Sequence, residues 1–277
     1  MNFLEVIFLG ILQGVTEFFP ISSSGHLLLA ENFLGLDVES LKAFDVVLHG
    51  GTLLALLVLF WKTWLQVLQG FFLKAEKEGR DLFFKLVLVT LPAAVVGLSF
   101  GAWIDEFTRG EGRVTIVAGF FVLVALLLFL GENFYSFLQN ARSSTPELTR
   151  GLTEKIGWKQ VIWMGIFQAL ALFPGVSRSG STIAAGMLTG VSRSAAARFS
   201  FLMLAPATAG AVILISKKVL AGELSLPPLE LTLVGFFVSA ISSFIFANLL
   251  LRFVKKHSLV WFSVYLLLAS FTLFMIK

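Results

Sequence analysis

The sequence predicts an all-α integral membrane protein built as an inverted-topology repeat, with about six full transmembrane helices plus two re-entrant helix–loop–helix hairpins meeting near the bilayer midplane. Three observations carry this expectation. The 277 residues are 57% hydrophobic and only 14% charged, with a mean hydropathy of +0.90, whereas soluble domains run near a quarter charged. Six apolar runs have the length of a bilayer-crossing helix: Leu41–Phe60, Leu82–Phe100, Val114–Leu130, Phe199–Ile215, Leu229–Leu251 and Leu259–Ile276. The two halves of the chain also match each other in register.

These spans leave no room for a soluble domain, so residues 1–277 are expected to form a single membrane domain. The start, Met1-Asn2-Phe3-Leu4-Glu5, has no basic region and does not read as a cleavable signal peptide. The absence of cysteine excludes disulfides, thiolate metal sites and cysteine nucleophiles. The net charge of +4 comes mostly from loop lysines and arginines. No basic patch with interleaved aromatics accompanies it, so no nucleic-acid partner is expected.

Sliding the sequence by 155 positions brings Val6, Ile7, Gly10, Ile11, Gln13 and Phe18 onto Val161, Ile162, Gly165, Ile166, Gln168 and Phe173. Ser22, Ser24, Gly25, Gly35 and Phe44 fall onto Ser177, Ser179, Gly180, Gly190 and Phe199. Apolar sequences match easily, which accounts for the Val and Ile pairs. It does not account for a shared Gln, two Ser and three Gly in register. The repeat units are read as 1–138 and 156–277, joined by a cytoplasmic loop near 139–157.

Each unit opens with two segments too short and broken to span comfortably: Phe3–Phe19 then Gly25–Leu36, and Trp158–Phe173 then Gly180–Leu188. Pro20 and Ser22-Ser23-Ser24-Gly25 split the first pair; Pro174-Gly175 and Ser177-Arg178-Ser179-Gly180 split the second. Helix breaks at membrane depth free backbone groups that must be satisfied internally. Matched breaks in two halves point to a binding site. One hairpin and three spans per half make an odd number of crossings, so the halves must be inverted. Fourteen lysines and arginines then fall on one side, among them Lys62, Lys85, Lys159, Arg193 and Arg252, and six on the other, among them Lys42, Arg109, Arg113 and Lys217. The richer side is expected to be cytoplasmic, with both termini outside.

Polar residues inside these breaks are the site candidates. Gln13 and Glu17 stand four apart and share a helical face. An ionisable group in an apolar membrane segment is a functional hypothesis by default, and a carboxylate beside an amide carbonyl suits a hard cation such as Mg²⁺ or Ca²⁺. The plainer alternative pairs Glu17 with an arginine. Ser22, Ser23 and Ser24 precede a helix start, where free N–H groups and the dipole attract phosphate, or where serine simply caps the helix. His26, three residues after Ser23, is placed as a general acid or base for a serine nucleophile, or else as a satisfied interior histidine. Arg178 cannot shed its charge and between Ser177 and Ser179 makes a bidentate phosphate clamp. His49 and His257 carry no constellation and read as structural or loop residues. Lys74–Arg80 and Ala141–Lys155 read as solvated cytoplasmic loops.

The stretch from Gln13 to His26, Gln-Gly-Val-Thr-Glu-Phe-Phe-Pro-Ile-Ser-Ser-Ser-Gly-His, resembles the first signature of the bacterial undecaprenyl-diphosphate phosphatases. Pro174-Gly175-Val176-Ser177-Arg178-Ser179-Gly180-Ser181-Thr182 resembles the second, and the likeness runs through Gly190-Val191-Ser192-Arg193. The resemblance implies a cell-membrane enzyme, dependent on a divalent metal, that hydrolyses a polyprenyl diphosphate lipid to the monophosphate and so recycles a cell-wall lipid carrier. It implies Ser23 as nucleophile, His26 as acid/base, Glu17 as a metal-linked acid with Gln13, and Arg178 as phosphate ligand. Ser22, Ser24, Ser177, Ser179 and Thr182 complete the expected phosphate contacts. Gln13 stands where some members carry Glu, leaving open how many carboxylates hold the metal. A second phosphatase superfamily also uses Ser-Gly-His, but its Ser-Arg-x5-His partner is missing, since Ala184 occupies the histidine position. The alternative function is a transporter or flippase for an anionic lipid or solute. Expected partners are the lipid substrate, membrane lipids and, as an open option, a second copy forming a homodimer.

Overall fold

A computed structural model describes residues 1–73, 77–107, 112–144 and 155–276. The described chain is all-helical. The helices are α1 (Phe3–Phe18), α2 (Ser23–Phe33), α3 (Val38–Leu59), α4 (Trp61–Phe72), α5 (Lys77–Phe107), α6 (Arg113–Ser144), α7 (Trp158–Leu170), α8 (Arg178–Leu188), α9 (Arg193–Leu220), α10 (Leu229–Phe253) and α11 (Val260–Ile276).

Five of these, α3, α5, α6, α9 and α10, are long and apolar enough to cross a membrane. The sixth expected span is α11, an apolar helix of 17 residues. One element was not expected: α4, which carries exposed Trp61, Leu65, Leu68 and Phe71 and packs on α5. The stretch after Lys62, Thr63–Leu73, is short and broken by Gln66 and Gln69, so hydropathy did not mark it as a span. The loop positions Lys74, Arg109 and Arg150, and most of the joining loop near 139–157, lie outside the described residues.

The four helices expected to flank the breaks are short. α1 and α7 have 16 and 13 residues, α2 and α8 have 11 each. At about 1.5 Å per residue none covers the roughly 30 Å hydrocarbon core alone. α1 starts in a capping box, the Asn2 side chain accepting from Glu5 N at 3.0 Å while Asn2 N donates to the Glu5 carboxylate at 2.7 Å. α1 packs on α10 and α7 on α5; α8 packs on α6, and α2 reaches α11 through His26 and Tyr265.

Burial is inverted relative to a soluble protein. Large apolar side chains such as Leu57, Phe129, Ile241 and Phe271 are exposed, while Thr52, Ser239, Ser243 and Ser270 are buried between helices. With no water to receive them, these hydroxyls bond inward: Thr52 and Ser243 meet at 2.9 Å, and Ser239 Oγ donates to Leu48 O at 2.7 Å. Close approach of α1 to α10 is set by Gly14. A Cβ there would lie 2.5 Å from Ser242 Cβ, so any side chain would push α1, and Glu17 with it, off its partner.

Candidate functional site

The two helix breaks face each other. Pro20 stops α1, and the chain turns through Ser22, whose φ of 74° is the one positive value at a non-glycine residue among those described. That conformation costs a residue with a Cβ of order 1–3 kcal/mol and clusters at functional sites. Here it is held by the helix that follows: Ser22 Oγ accepts from Gly25 N at 3.3 Å as the N-cap of α2. The second break uses a glycine for the same purpose. Gly175 adopts φ 99° against the backbone of Val117, and Ser177 caps α8 by accepting from Gly180 N at 3.0 Å. The plain capping role is thus real for Ser22 and Ser177.

The remaining polar groups join the two tips. Ser24 Oγ accepts from Gly175 N at 3.4 Å, and Ser179 Oγ donates to Phe19 O at 3.2 Å. Glu17, 4% exposed, lies at the centre. Its Oε1 accepts from the Arg178 guanidinium. Its Oε2 accepts from Ser23 Oγ at 2.5 Å and from Gln13 Nε2 at 2.8 Å. A cavity of about 250 Å³ opens beside this cluster, lined by Glu17, Ser22, Ser23, Ser24, Ser177, Arg178 and Ser179 among others. At about 30 Å³ per liquid water, it has room for about eight waters, enough for a diphosphate head.

Three expected residues stand elsewhere. Gln13 is fully buried behind Glu17 and does not line the cavity; its Oε1 has no hydrogen-bond partner. Thr182 is also buried and off the cavity, donating to Arg178 O at 2.7 Å and meeting Ser200 Oγ at 2.7 Å. It ties α8 to α9 and does not line the cavity. The placement of His26 beside Ser23 is corrected. Its Nδ1 lies 2.7 Å from Ser22 O, its Nε2 lies 2.7 Å from Tyr265 Oη, and the ring stacks between Phe121 and Tyr265. Both ring nitrogens are engaged on the far side of α2, so the three-residue spacing does not bring the imidazole to Ser23.

Among the residues that line the cavity without having been expected there are His49 and Gln168. His49, on α3, puts Nε2 3.5 Å from Glu17 Oε2. A histidine inside an apolar span was itself the available signal. Gln168, the repeat counterpart of Gln13, also lines the cavity and has an unpartnered buried Oε1.

Among the described residues no three His, Cys, Asp or Glu side chains cluster as a metal site. The oxygen donors present are one carboxylate, the orphaned Gln13 Oε1 behind it, and serine hydroxyls. Such a sparse oxygen set fits a Mg²⁺-type ion that takes the rest of its shell from substrate phosphates and water.

Fold and site together define a class: a multi-pass helical membrane protein with a buried polar site between two broken-helix tips. Within that class, the chain belongs to the family described as Bacitracin resistance protein BacA, whose profile matches residues 6–272. It is similar to the undecaprenyl-diphosphatase of Rubrobacter xylanophilus, 39% identical over 273 residues, covering 96% of this chain and 94% of that protein. The undecaprenyl-diphosphatase of Desulforudis audaxviator is 37% identical over 276 residues, covering 100% and 98%. Undecaprenyl-diphosphatase 2 of Shewanella oneidensis is 35% identical over 275 residues, covering 99% and 98%.

Proposed function

We propose that this protein hydrolyses undecaprenyl diphosphate to undecaprenyl phosphate and inorganic phosphate at the surface or within the plane of a bacterial cell membrane. The relatives at this identity carry that activity in their names. The observation that carries the reading in this chain is the 2.5 Å hydrogen bond from Ser23 Oγ to Glu17 Oε2, inside a cavity that Arg178 also lines. A hydroxyl aimed at a carboxylate has its proton acceptor in place. Hydrolysis can use that arrangement, whereas transport does not require it.

In this reading Ser23 Oγ attacks the terminal phosphorus and Glu17 receives its proton. The bridging P–O bond breaks, undecaprenyl phosphate leaves, and a phosphoserine remains. Water then attacks the phosphoserine, releasing inorganic phosphate and returning the proton to Ser23. As Glu17 is protonated its hold on Arg178 weakens, which frees the guanidinium to bind two phosphate oxygens. The N-terminal turns of α2 and α8 supply further N–H donors. Glu17, held from behind by Gln13 Nε2, would hold a divalent cation, which would neutralise phosphate charge when bound. His26 acts on this site only through the Ser22 carbonyl that it bonds, as a positioning residue.

The inverted repeat of 1–138 and 156–277 is supported by the exchange of partners between α1–α10 and α7–α5. The cytoplasmic placement of the lysine- and arginine-rich side, with both termini outside, rests on the fourteen-to-six partition. The test is phosphate release from undecaprenyl diphosphate by the purified protein, with and without a chelator. No release by wild type in excess Mg²⁺ or Ca²⁺ overturns the activity; full release in excess chelator removes the metal.

A further inference from the structure

His49 has a defined tautomer. Its Nδ1 lies 2.7 Å from the backbone oxygen of Asp45, and a carbonyl oxygen only accepts, so Nδ1 carries a proton. In the neutral ring this leaves a lone pair on Nε2. That atom faces Glu17 Oε2 at 3.5 Å, across the floor of the cavity. Two acceptors turned toward each other repel unless something positive stands between or beside them.

Two species meet that need, a second ring proton or a metal ion, and the geometry favours the metal. The separation is well beyond the roughly 2.7–2.9 Å of a charge-assisted N–H···O bond. The charge of Glu17 is already matched by Arg178, and Oε2 already accepts two hydrogen bonds, from Ser23 and Gln13. Either species brings positive charge that substrate phosphate must offset, so the 3.5 Å separation is what distinguishes them. Neighbouring ligands on one ion, each about 2.1–2.5 Å from it and about 90–110° apart, stand about 3.0–4.1 Å from each other. Metal-ligating histidines also donate their second N–H to a backbone carbonyl or carboxylate, as Nδ1 does here. Independently, Gln13 Oε1 is fully buried without a partner, on the amide whose nitrogen holds Glu17 Oε2.

We infer that His49 Nε2 is a direct ligand, together with Glu17, of the divalent cation in this site. The inference rests on the metal-dependent reading above and deepens it. A mixed nitrogen–oxygen set admits Mn²⁺ or Zn²⁺ more readily than an oxygen-only set would.

Mn²⁺ provides the probe. Purified wild-type protein, in detergent or nanodiscs, is titrated with Mn²⁺ and the bound ion is examined by pulsed EPR. A ¹⁴N coupling from a directly bound imidazole is expected, and it should convert to a ¹⁵N coupling when the protein is grown with ¹⁵N-histidine. That labelling arm needs no variant and does not depend on a substitution folding. In His49→Gln the coupling should vanish and Mn²⁺ affinity should fall at least about tenfold, while His26→Gln keeps the coupling. Bound Mn²⁺ without histidine nitrogen coupling overturns the role of His49 but leaves the metal reading standing, as does a coupling that survives in His49→Gln. Failure of wild type to bind Mn²⁺ at all overturns both.

Discussion

The carboxylate of Glu17 on α1 and the guanidinium of Arg178 at the start of α8, 161 positions apart in sequence, are bonded to each other where the two broken-helix tips meet. The pair ties one half of the chain to the other. It also keeps each charge paired in a region where an unpaired one would be costly. A phosphate entering the adjoining cavity must compete with Glu17 for the guanidinium. Arg178→Lys keeps the charge but loses the planar fork. Turnover should fall roughly tenfold to a thousandfold, the scale of one lost transition-state contact. Size-exclusion behaviour and thermal midpoint should stay close to wild type. Near-normal turnover in this variant would remove Arg178 from phosphate binding.

Ser23 and His26 are separable by rate. Ser23→Ala should lose several orders of magnitude of phosphate release, the scale of nucleophile removal in other enzymes. His26→Gln should be milder, because the ring touches Ser22 O and Tyr265 Oη and not Ser23. Trapping of a phosphoserine in rapid-quench experiments checks the covalent step. Should His26→Gln be as inactive as Ser23→Ala, the ring must reach the reacting atoms in a state other than this one.

Arg193 shows why an arginine in a motif need not touch substrate. It donates from Nε to Glu132 Oε1 at 2.5 Å and stacks 4.4 Å from the Tyr135 ring centroid, while Glu132 Oε2 accepts from Leu259 N at 2.8 Å. One buried pair thereby joins α6, α9 and the start of α11. Arg193→Met leaves Glu132 buried and unpaired, and should destabilise by about 3–5 kcal/mol, read as a drop in unfolding midpoint. An unchanged midpoint with lost turnover would instead assign Arg193 to the reaction.

A second pair of acids lies outside the cavity. The carboxyl groups of Glu31, fully buried at the end of α2, and Asp45 on α3 are electrostatic neighbours, yet both Glu31 oxygens and Asp45 Oδ1 are buried without a hydrogen-bond partner. Adjacent buried carboxylates cannot both remain charged without a cation. Glu31→Gln supplies an N–H donor to Asp45 in place of a shared proton, so its thermal midpoint should equal or exceed that of wild type. A lowered midpoint would mean that a cation, and not a proton, holds the pair.

Topology is accessible because the chain has no cysteine. Glu78 is exposed, and a Cβ at Gly112 meets nothing within 4 Å, so both positions accept a reporter. Glu78→Cys should label with an impermeant maleimide only from the cytoplasmic side, and Gly112→Cys only from outside. Labelling of both from one side contradicts the inverted arrangement.

Much of this protein is legible in its sequence, because the relevant signals are local. Apolar runs define the long helices, and Pro20, Pro174 and the two Ser-rich stretches mark where the chain breaks. Glu17, Ser23 and Arg178 stand out as polar groups the membrane should not tolerate idle. The tertiary structure decided which of them share a cavity. Spacing put His26 near Ser23, yet packing against Phe121 and Tyr265 holds the ring on the other side of α2. His49 looked unattached until α3, packed on α10 and touching α1, carried it to Glu17, 32 residues away in sequence. Thr182 belonged to the motif but faces Ser200. Local sequence sets what a segment can bury, whereas the direction of a side chain is set by the helices packed around it, and those come from distant parts of the chain.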